Sequence, residues 1–207
     1  MRNEKKVWDR FAPMYDRFMK KDMPLYSVII ERIKVCIKKD KNVLEIATGT
    51  GTIALGIAEC TDAIEAVDLS AEMIAKAKKK AAQQSIDHIH FSVQDAYDLK
   101  YEDQSFDYVI ITNTLHIMPN PQKALEEIKR VLKKGGYMIA PTFVHAGSKK
   151  AALMSKLMSW TGFRAYHKWT QISFCRFIDD YGFDIVQAEI LESSFPLVYL
   201  VAKVKSS

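Results

Sequence analysis

The sequence predicts an α/β domain: a mostly parallel sheet with helices on both faces and an antiparallel strand pair at its end. Three observations carry this. Short apolar runs alternate with longer amphipathic ones from Asn42 to Val144, the mark of parallel strands joined by crossover helices. A glycine turn, Gly49-x-Gly51, separates the first strand from the first helix of that alternation, as in nucleotide-binding turns of open sheets. The last two apolar runs are joined only by "SSFP". That link cannot hold a crossover helix, so these strands pair antiparallel.

In chain order, "EKKVWDRFAPMYDRFMKKDMPLYSVIIERIKVCIKK" carries apolar residues at helical spacing, punctuated by Pro13 and Pro24, and reads as a helical cap. "NVLEIA" is the first strand and "TIALGIAEC" the first core helix. "AIEAVDL" is the second strand, followed by the helix "SAEMIAKAKKKAAQQS" with Ser70 as its N-cap. "HIHFSV" and "FDYVIIT" are the third and fourth strands. "PQKALEEIKRVLKKGG" is a helix expected to stop at Gly135 and Gly136. "YMIAPTFV" is the fifth strand, and "QISFCRFIDDYGF" is a helix before the final pair, "FDIVQAEILES" and "FPLVYLVAKV". The expectation is one domain over residues 1–207. It comprises a helical cap (1–41), a core (42–147), an insertion over the sheet top (148–170) and a final helix with the antiparallel pair (171–207).

Bulk composition bounds the function. With 48% hydrophobic and 27% charged residues among 207, the chain can bury a substantial core and is not a disordered polymer. A net charge of +5 mildly favours acidic partners. Cys36, Cys60 and Cys175 are odd in number and in no ligand spacing, so reduced thiols in a cytoplasmic protein are expected. No apolar run reaches the ~20 residues of a membrane span.

Ligands of open parallel sheets bind beyond the carboxyl ends of the strands, where the glycine turn lies. Asp68 ends the second strand, and a carboxylate there can accept both hydroxyls of a ribose. A dinucleotide and S-adenosyl-L-methionine both fit so far. Glu45, inside the first strand just before the turn, favours the second. At ~4 Å and an effective dielectric of ~20, it would repel a pyrophosphate charge by about 4 kcal/mol, whereas the sulfonium ligand brings cations. The alternative is that Glu45 braces neighbouring backbone amides.

"VLEIATGTG" followed by "AVDLS", "QDAYDL" and "FDYVIITNTLHIMPNPQKALEEIKRVLKKGG" resembles the class I S-adenosylmethionine-dependent methyltransferases. The branch is that of quinone-biosynthesis, phosphatidylethanolamine and small-molecule enzymes. The resemblance implies a Rossmann-like, seven-stranded sheet and methyl transfer by in-line displacement, leaving S-adenosyl-L-homocysteine. It implies that Glu45, Ala47, Thr48, Gly49 and Gly51 surround the methionine part, and that Asp68 holds the ribose. Leu69 and Met73 stand near the adenine, with Asp95 and Ala96 at its amine. Thr112 and Asn113 meet the methionyl group, and Tyr15 closes the cofactor site.

A base is needed only where the acceptor must lose a proton. His116, just past the fourth strand, is the candidate base, or else a histidine hydrogen-bonded within its loop. Tyr15 is a second candidate, more in keeping with a lid. Trp160, Arg164 and His167 in the insertion are candidates to meet a small organic acceptor, with Arg164 and His167 facing an anionic group or plain solvent. The Met and Leu residues at 153, 154, 157 and 158 form a stripe that equally suits core packing. No Asn-Pro-Pro-aromatic or Pro-Cys motif follows the fourth strand, which by resemblance argues against nucleic-acid methylation. Lys76, Lys78, Lys79 and Lys80 read as a solvated helix face. His88 and His90 lack a third ligand, so no metal is expected. A lipid-acting enzyme with peripheral membrane contact and a non-catalytic cofactor-binding module are the alternatives.

Overall fold

The computed structural model describes residues 2–144, 165–193 and 196–205. Trp160, Arg164 and most of the 148–170 insertion lie outside the described residues.

Helices α1 (Arg2–Met19) and α2 (Met23–Cys36) precede the sheet. Pro13 lies within α1 without ending it, and Pro24 starts α2, where its missing N–H costs nothing. Then follow β1 (Val43–Ile46), α3 (Thr52–Ile57), β2 (Ile64–Asp68), α4 (Ala71–Gln83), β3 (Ile89–Val93) and β4 (Phe106–Ile111). After them come α5 (Pro121–Val131), β5 (Leu132–Ile139), β6 (Thr142–Phe143), α6 (Gln171–Asp180), β7 (Phe183–Leu191) and β8 (Leu197–Val204). Ser70 caps α4 by accepting from the N–H of Met73.

The strands β3-β2-β1-β4-β5 are parallel neighbours in that order. Strand β8 runs antiparallel between β5 and β7. β5 and β6 pair the same strand, β8, at Tyr137–Ile139 and Thr142–Phe143. They are one strand line interrupted at Ala140 and Pro141, so the sheet has seven lines, with the last strand, β8, antiparallel as expected. The order reverses between β1 and β4, the switch point at which such sheets bind ligands.

One expectation is corrected. Helix α5 ends at Val131, not at the glycines, and Leu132 is already extended. Leu132 is buried opposite Phe106, and Lys133–Gly136 bulge out before Tyr137 pairs with Tyr108. Burying Leu132 in the sheet outweighs one more helical turn. Gly135, at φ +76°, serves the bulge rather than the helix end.

Alternation along the strands divides the core. Val43, Ile64, Ala66 and Ile110 face α2, α3 and α4, packing with Ile29, Ile33, Ile53 and Ala77. Leu44, Ile46, Val109 and Ile111 face α5 and α6, packing with Leu125, Ile128, Phe174 and Ile178. The period of two puts Glu45 on the α3 side, between Leu44 and Ile46 of the other face.

Candidate active site

Four loops leave the carboxyl ends of β1, β2, β3 and β4, and α1 lies over them. Together they enclose a cavity of about 400 Å³, within the range of small-ligand sites. β1 and its turn supply Ile46, Ala47 and Gly49, and β2 supplies Val67, Asp68 and Leu69. The loop after β3 supplies Gln94, Asp95, Ala96 and Tyr97. The segment after β4 supplies Thr112, Asn113, Thr114, Ile117, Met118 and Pro119. Glu4, Val7, Trp8 and Tyr15 of α1 close one side, and Tyr166 completes the wall.

The turn after β1 is built on left-handed backbone. Ala47 has φ +55°, Gly49 +57° and Gly51 +80°. For Ala47 this conformation costs roughly 1–2 kcal/mol, a strain characteristic of ligand sites. Gly51 is also hemmed in: a Cβ there would stand 3.1 Å from the Ala77 Cβ and 3.3 Å from the Phe91 ring. Glycine at 51 therefore serves helix–strand packing, while Gly49 faces the cavity beneath the Tyr15 ring.

Asp68 organises the floor. Its Oδ2 accepts from the N–H of Gly49 (2.8 Å) and its Oδ1 from the N–H of Ser70 (2.9 Å). A carboxylate has about four lone-pair sites, so acceptor capacity remains toward the cavity. Burial pushes its pKa up to about 6, against the lowering effect of those two amides.

Glu45 is buried and does not line the cavity. Its Oε2 accepts from the Thr48 hydroxyl (2.6 Å) and from the N–H of Ala54 (3.0 Å). The carboxyl thus splices the glycine turn to α3, the bracing role that was the alternative reading. Burial pushes its pKa up to about 8. Thr48, Gly51 and Met73 also stand behind the wall, whereas Tyr15, Ala47, Gly49, Asp68, Leu69, Asp95, Ala96, Thr112 and Asn113 are brought together in it.

His116 is not among the wall residues. The 3₁₀ turn Leu115–Ile117 buries Leu115 and gives Ile117 to the cavity. The His116 ring meets Phe143 edge-on at 6.2 Å, and its carbonyl accepts from the N–H of His167 (3.0 Å). The His167 ring stacks on Trp169 at 4.9 Å, so the main-chain bond carries the neighbouring Tyr166 to the wall. Tyr15 is half-buried, and desolvation together with nearby Tyr26 and Asp68 raises its pKa well above the usual phenol range. It stays protonated and can donate.

Glu4, Val7 and Trp8 joined the wall without a signal in the sequence. Polar ties place α1 over the loops: the Ser70 hydroxyl donates to Asp9 (2.6 Å), and the Thr50 hydroxyl and Lys80 donate to Asp16 (2.6 and 2.7 Å). Tyr97 was legible in principle, because the N–H of Tyr97 donates to Asp95 Oδ1 (2.9 Å), an ordinary Asx turn.

One wall group has nothing to bond. Among the described residues, the Thr112 hydroxyl is buried without a hydrogen-bond partner. Buried hydroxyls are nearly always paired, and Thr112 lines the cavity.

The model of a family described as "Methyltransferase domain" matches residues 37–189. An uncharacterized protein of Methanocaldococcus jannaschii is 35% identical over 133 residues, covering 64% of this chain and 59% of that protein. A ubiquinone/menaquinone biosynthesis C-methyltransferase of Geotalea daltonii is 33% identical over 148 residues, covering 66% and 61%. The chain thus spans about three-fifths of the length of these relatives. A chain in the complex of the Haloferax volcanii Trm112 methyltransferase activator with a methyltransferase superposes with a TM-score of 0.79 at 17% identity, covering 96% of this chain and 98% of that one. At that identity the likeness speaks for the fold. The family match covers most of the chain, including the loops after β1, β2, β3 and β4, and the chain belongs to the methyltransferase domain family.

Proposed function

We propose that the enzyme methylates a nucleophilic atom of a small organic acceptor held beside the Thr114–Pro119 segment and Tyr166. The observation that carries this is the two-sided cavity. Carboxylates and loop amides line one part of it, and Ile117, Met118, Pro119 and Tyr166 line another.

The residues fit S-adenosylmethionine. The unpartnered Thr112 hydroxyl and the Ala47–Gly49 turn beside it would offer polar contacts to a methionyl group. Asp68 would hold the ribose hydroxyls. Leu69 and Ala96 would flank the adenine, with Asp95 at its amine. When bound, the cofactor supplies a methyl carbon made electrophilic by positive sulfur. The chain's own part is orientation, worth up to ~7–11 kcal/mol of barrier, and exclusion of water by Trp8 and Tyr15. Tyr15, held protonated, donates rather than accepts a proton. The acceptor therefore brings its own reactive lone pair, as an amine, thiolate or phenolate does.

Titration calorimetry with S-adenosylmethionine, S-adenosylhomocysteine and NAD in parallel tests the cofactor. Binding of the first two without NAD is expected, followed by a labelled-methyl screen of phenols, amines and thiols. NAD binding without the sulfonium ligands would overturn the reading. Thr112→Val, which removes only the unpaired hydroxyl, is expected to weaken S-adenosylhomocysteine by roughly three- to tenfold, the worth of one neutral hydrogen bond. Its melting temperature should be unchanged or higher, because no protein partner is lost. His116→Ala keeps the main-chain carbonyl that His167 uses. We expect unchanged cofactor affinity and a single-turnover rate within about threefold of wild type, less than the ~100-fold loss typical of a missing general base.

A second reading has one specific support. The Geotalea daltonii relative is named for methylation in quinone biosynthesis, which favours a quinone-type lipid acceptor methylated at carbon. Short-chain quinols belong in the same screen. Among the described residues no helix is long and apolar enough to cross a membrane, and we propose a cytoplasmic enzyme.

A further inference from the structure

We infer that the corner formed by α1 and the start of α2 docks on an anionic lipid bilayer. This stands on the surface of the corner and not on the acceptor's chemistry.

Charges there are sorted by side. Lys5, Lys6, Arg10, Arg17, Lys20 and Lys21 are all exposed, and none is ion-paired among the described residues. The acids of the same stretch are paired or partly buried. Asp9 accepts from Ser70, and Asp16 accepts from Thr50 and Lys80; Glu4 lines the cavity and Asp22 is half-buried. The unpaired charges of the outward face are therefore cationic.

Large apolar side chains are interleaved with those cations. Met14 is 62% exposed, Phe18 45% and Met23 41%. At 100° per residue, Lys6, Arg10 and Arg17 form one stripe of α1. Met14 and Phe18 form the stripe beside it, toward the cavity edge where Val7 lies. A cationic stripe next to an exposed apolar stripe is the geometry of a helix that lies in the lipid interface, with cations at headgroups and apolar tips among acyl chains. The complementary charge is that of an anionic headgroup layer. A nucleic acid would match the cations but leave the methionines and phenylalanine in water. The opposite face of the same helix carries Trp8 and Tyr15 into the cavity, so docking would set that wall about one helix diameter, ~10 Å, from the bilayer.

The test is flotation of the full chain with vesicles of phosphatidylcholine alone and of phosphatidylcholine and phosphatidylglycerol in equal parts. Flotation with the mixed vesicles only, lost at high salt, is expected. The double substitution Arg10→Glu with Arg17→Glu and the single substitution Met14→Asp should each lower the bound fraction about tenfold. Calorimetry with S-adenosylhomocysteine should give wild-type affinity for both variants, separating docking from folding and from the cofactor site. Several results would overturn the inference: no flotation of the wild-type chain, or equal flotation of the variants. So would self-association abolished by Met14→Asp without flotation, which assigns the face to a second copy, or retention on RNA without vesicle binding.

Discussion

Asp68→Ala is expected to weaken S-adenosylhomocysteine binding by about a hundredfold, with the fold retained. Asp68 is the wall residue whose two oxygens are already aligned, by the amides of Gly49 and Ser70. Ribose hydroxyls donating to its remaining lone pairs would make two charge-assisted bonds, each worth ~1.5–3 kcal/mol. Removing the pair costs about 3 kcal/mol, or two decades of affinity. The freed amides border a cavity that water can enter, so the melting temperature should fall by only a few degrees. Burial holds the Asp68 pKa up at about 6 in the free protein, while donors favour the ionised form. Binding to the wild-type chain should therefore weaken as pH falls through 6, and the variant's residual affinity should lack that dependence. Calorimetry at pH 5 and pH 8 measures both effects. Wild-type affinity in the variant would remove Asp68 from the ribose assignment.

The cavity floor was legible because its logic is local. Asp68 ends an apolar strand, Gly49 and Gly51 follow another, and both strands belong to an alternation whose carboxyl ends bind ligands. What escaped was orientation. Alternation in β1 sends Glu45 toward α3 and away from the cavity, but only the packing of α3 supplies the Ala54 amide that makes it a brace. His116 lies in a 3₁₀ turn whose phase, not its sequence position, decides that Ile117 and not His116 reaches the wall. Trp8 could not be placed from its neighbours. The ties that seat α1 join residues 34, 61 and 64 positions apart. The end of α5 failed for a related reason. Gly135 and Gly136 carry a helix-stop signal, yet a bulge four residues past the true end uses it, because Leu132 gains more opposite Phe106.

Glu45 supports the other large expected effect, and the structure sets its sign. Both hydrogen bonds converge on one oxygen, Oε2, from Thr48 and Ala54. A neutral carboxyl suits this pattern, its carbonyl oxygen accepting twice while the other oxygen carries the proton. It agrees with a pKa pushed up to about 8 by burial, against about 4.3 in an unfolded chain. Between these values the folded protein holds a proton that the unfolded chain has released. Stability therefore falls as pH rises through that window, by about 1.4 kcal/mol per unit where the difference is complete. Glutamine presents the same carbonyl oxygen and a donor in place of the hydroxyl, without the titration. Glu45→Gln should match wild type near pH 5 and exceed it increasingly toward pH 8, by several degrees in melting temperature. Glu45→Leu should be much worse at every pH, because the Thr48 hydroxyl and the Ala54 amide are left buried and unpaired at ~1–3 kcal/mol each. Thermal melts of the free protein from pH 5 to 8 decide the matter: parallel curves for wild type and Glu45→Gln would mean that Glu45 is ionised in the fold, and that the glycine turn is braced by a buried charge.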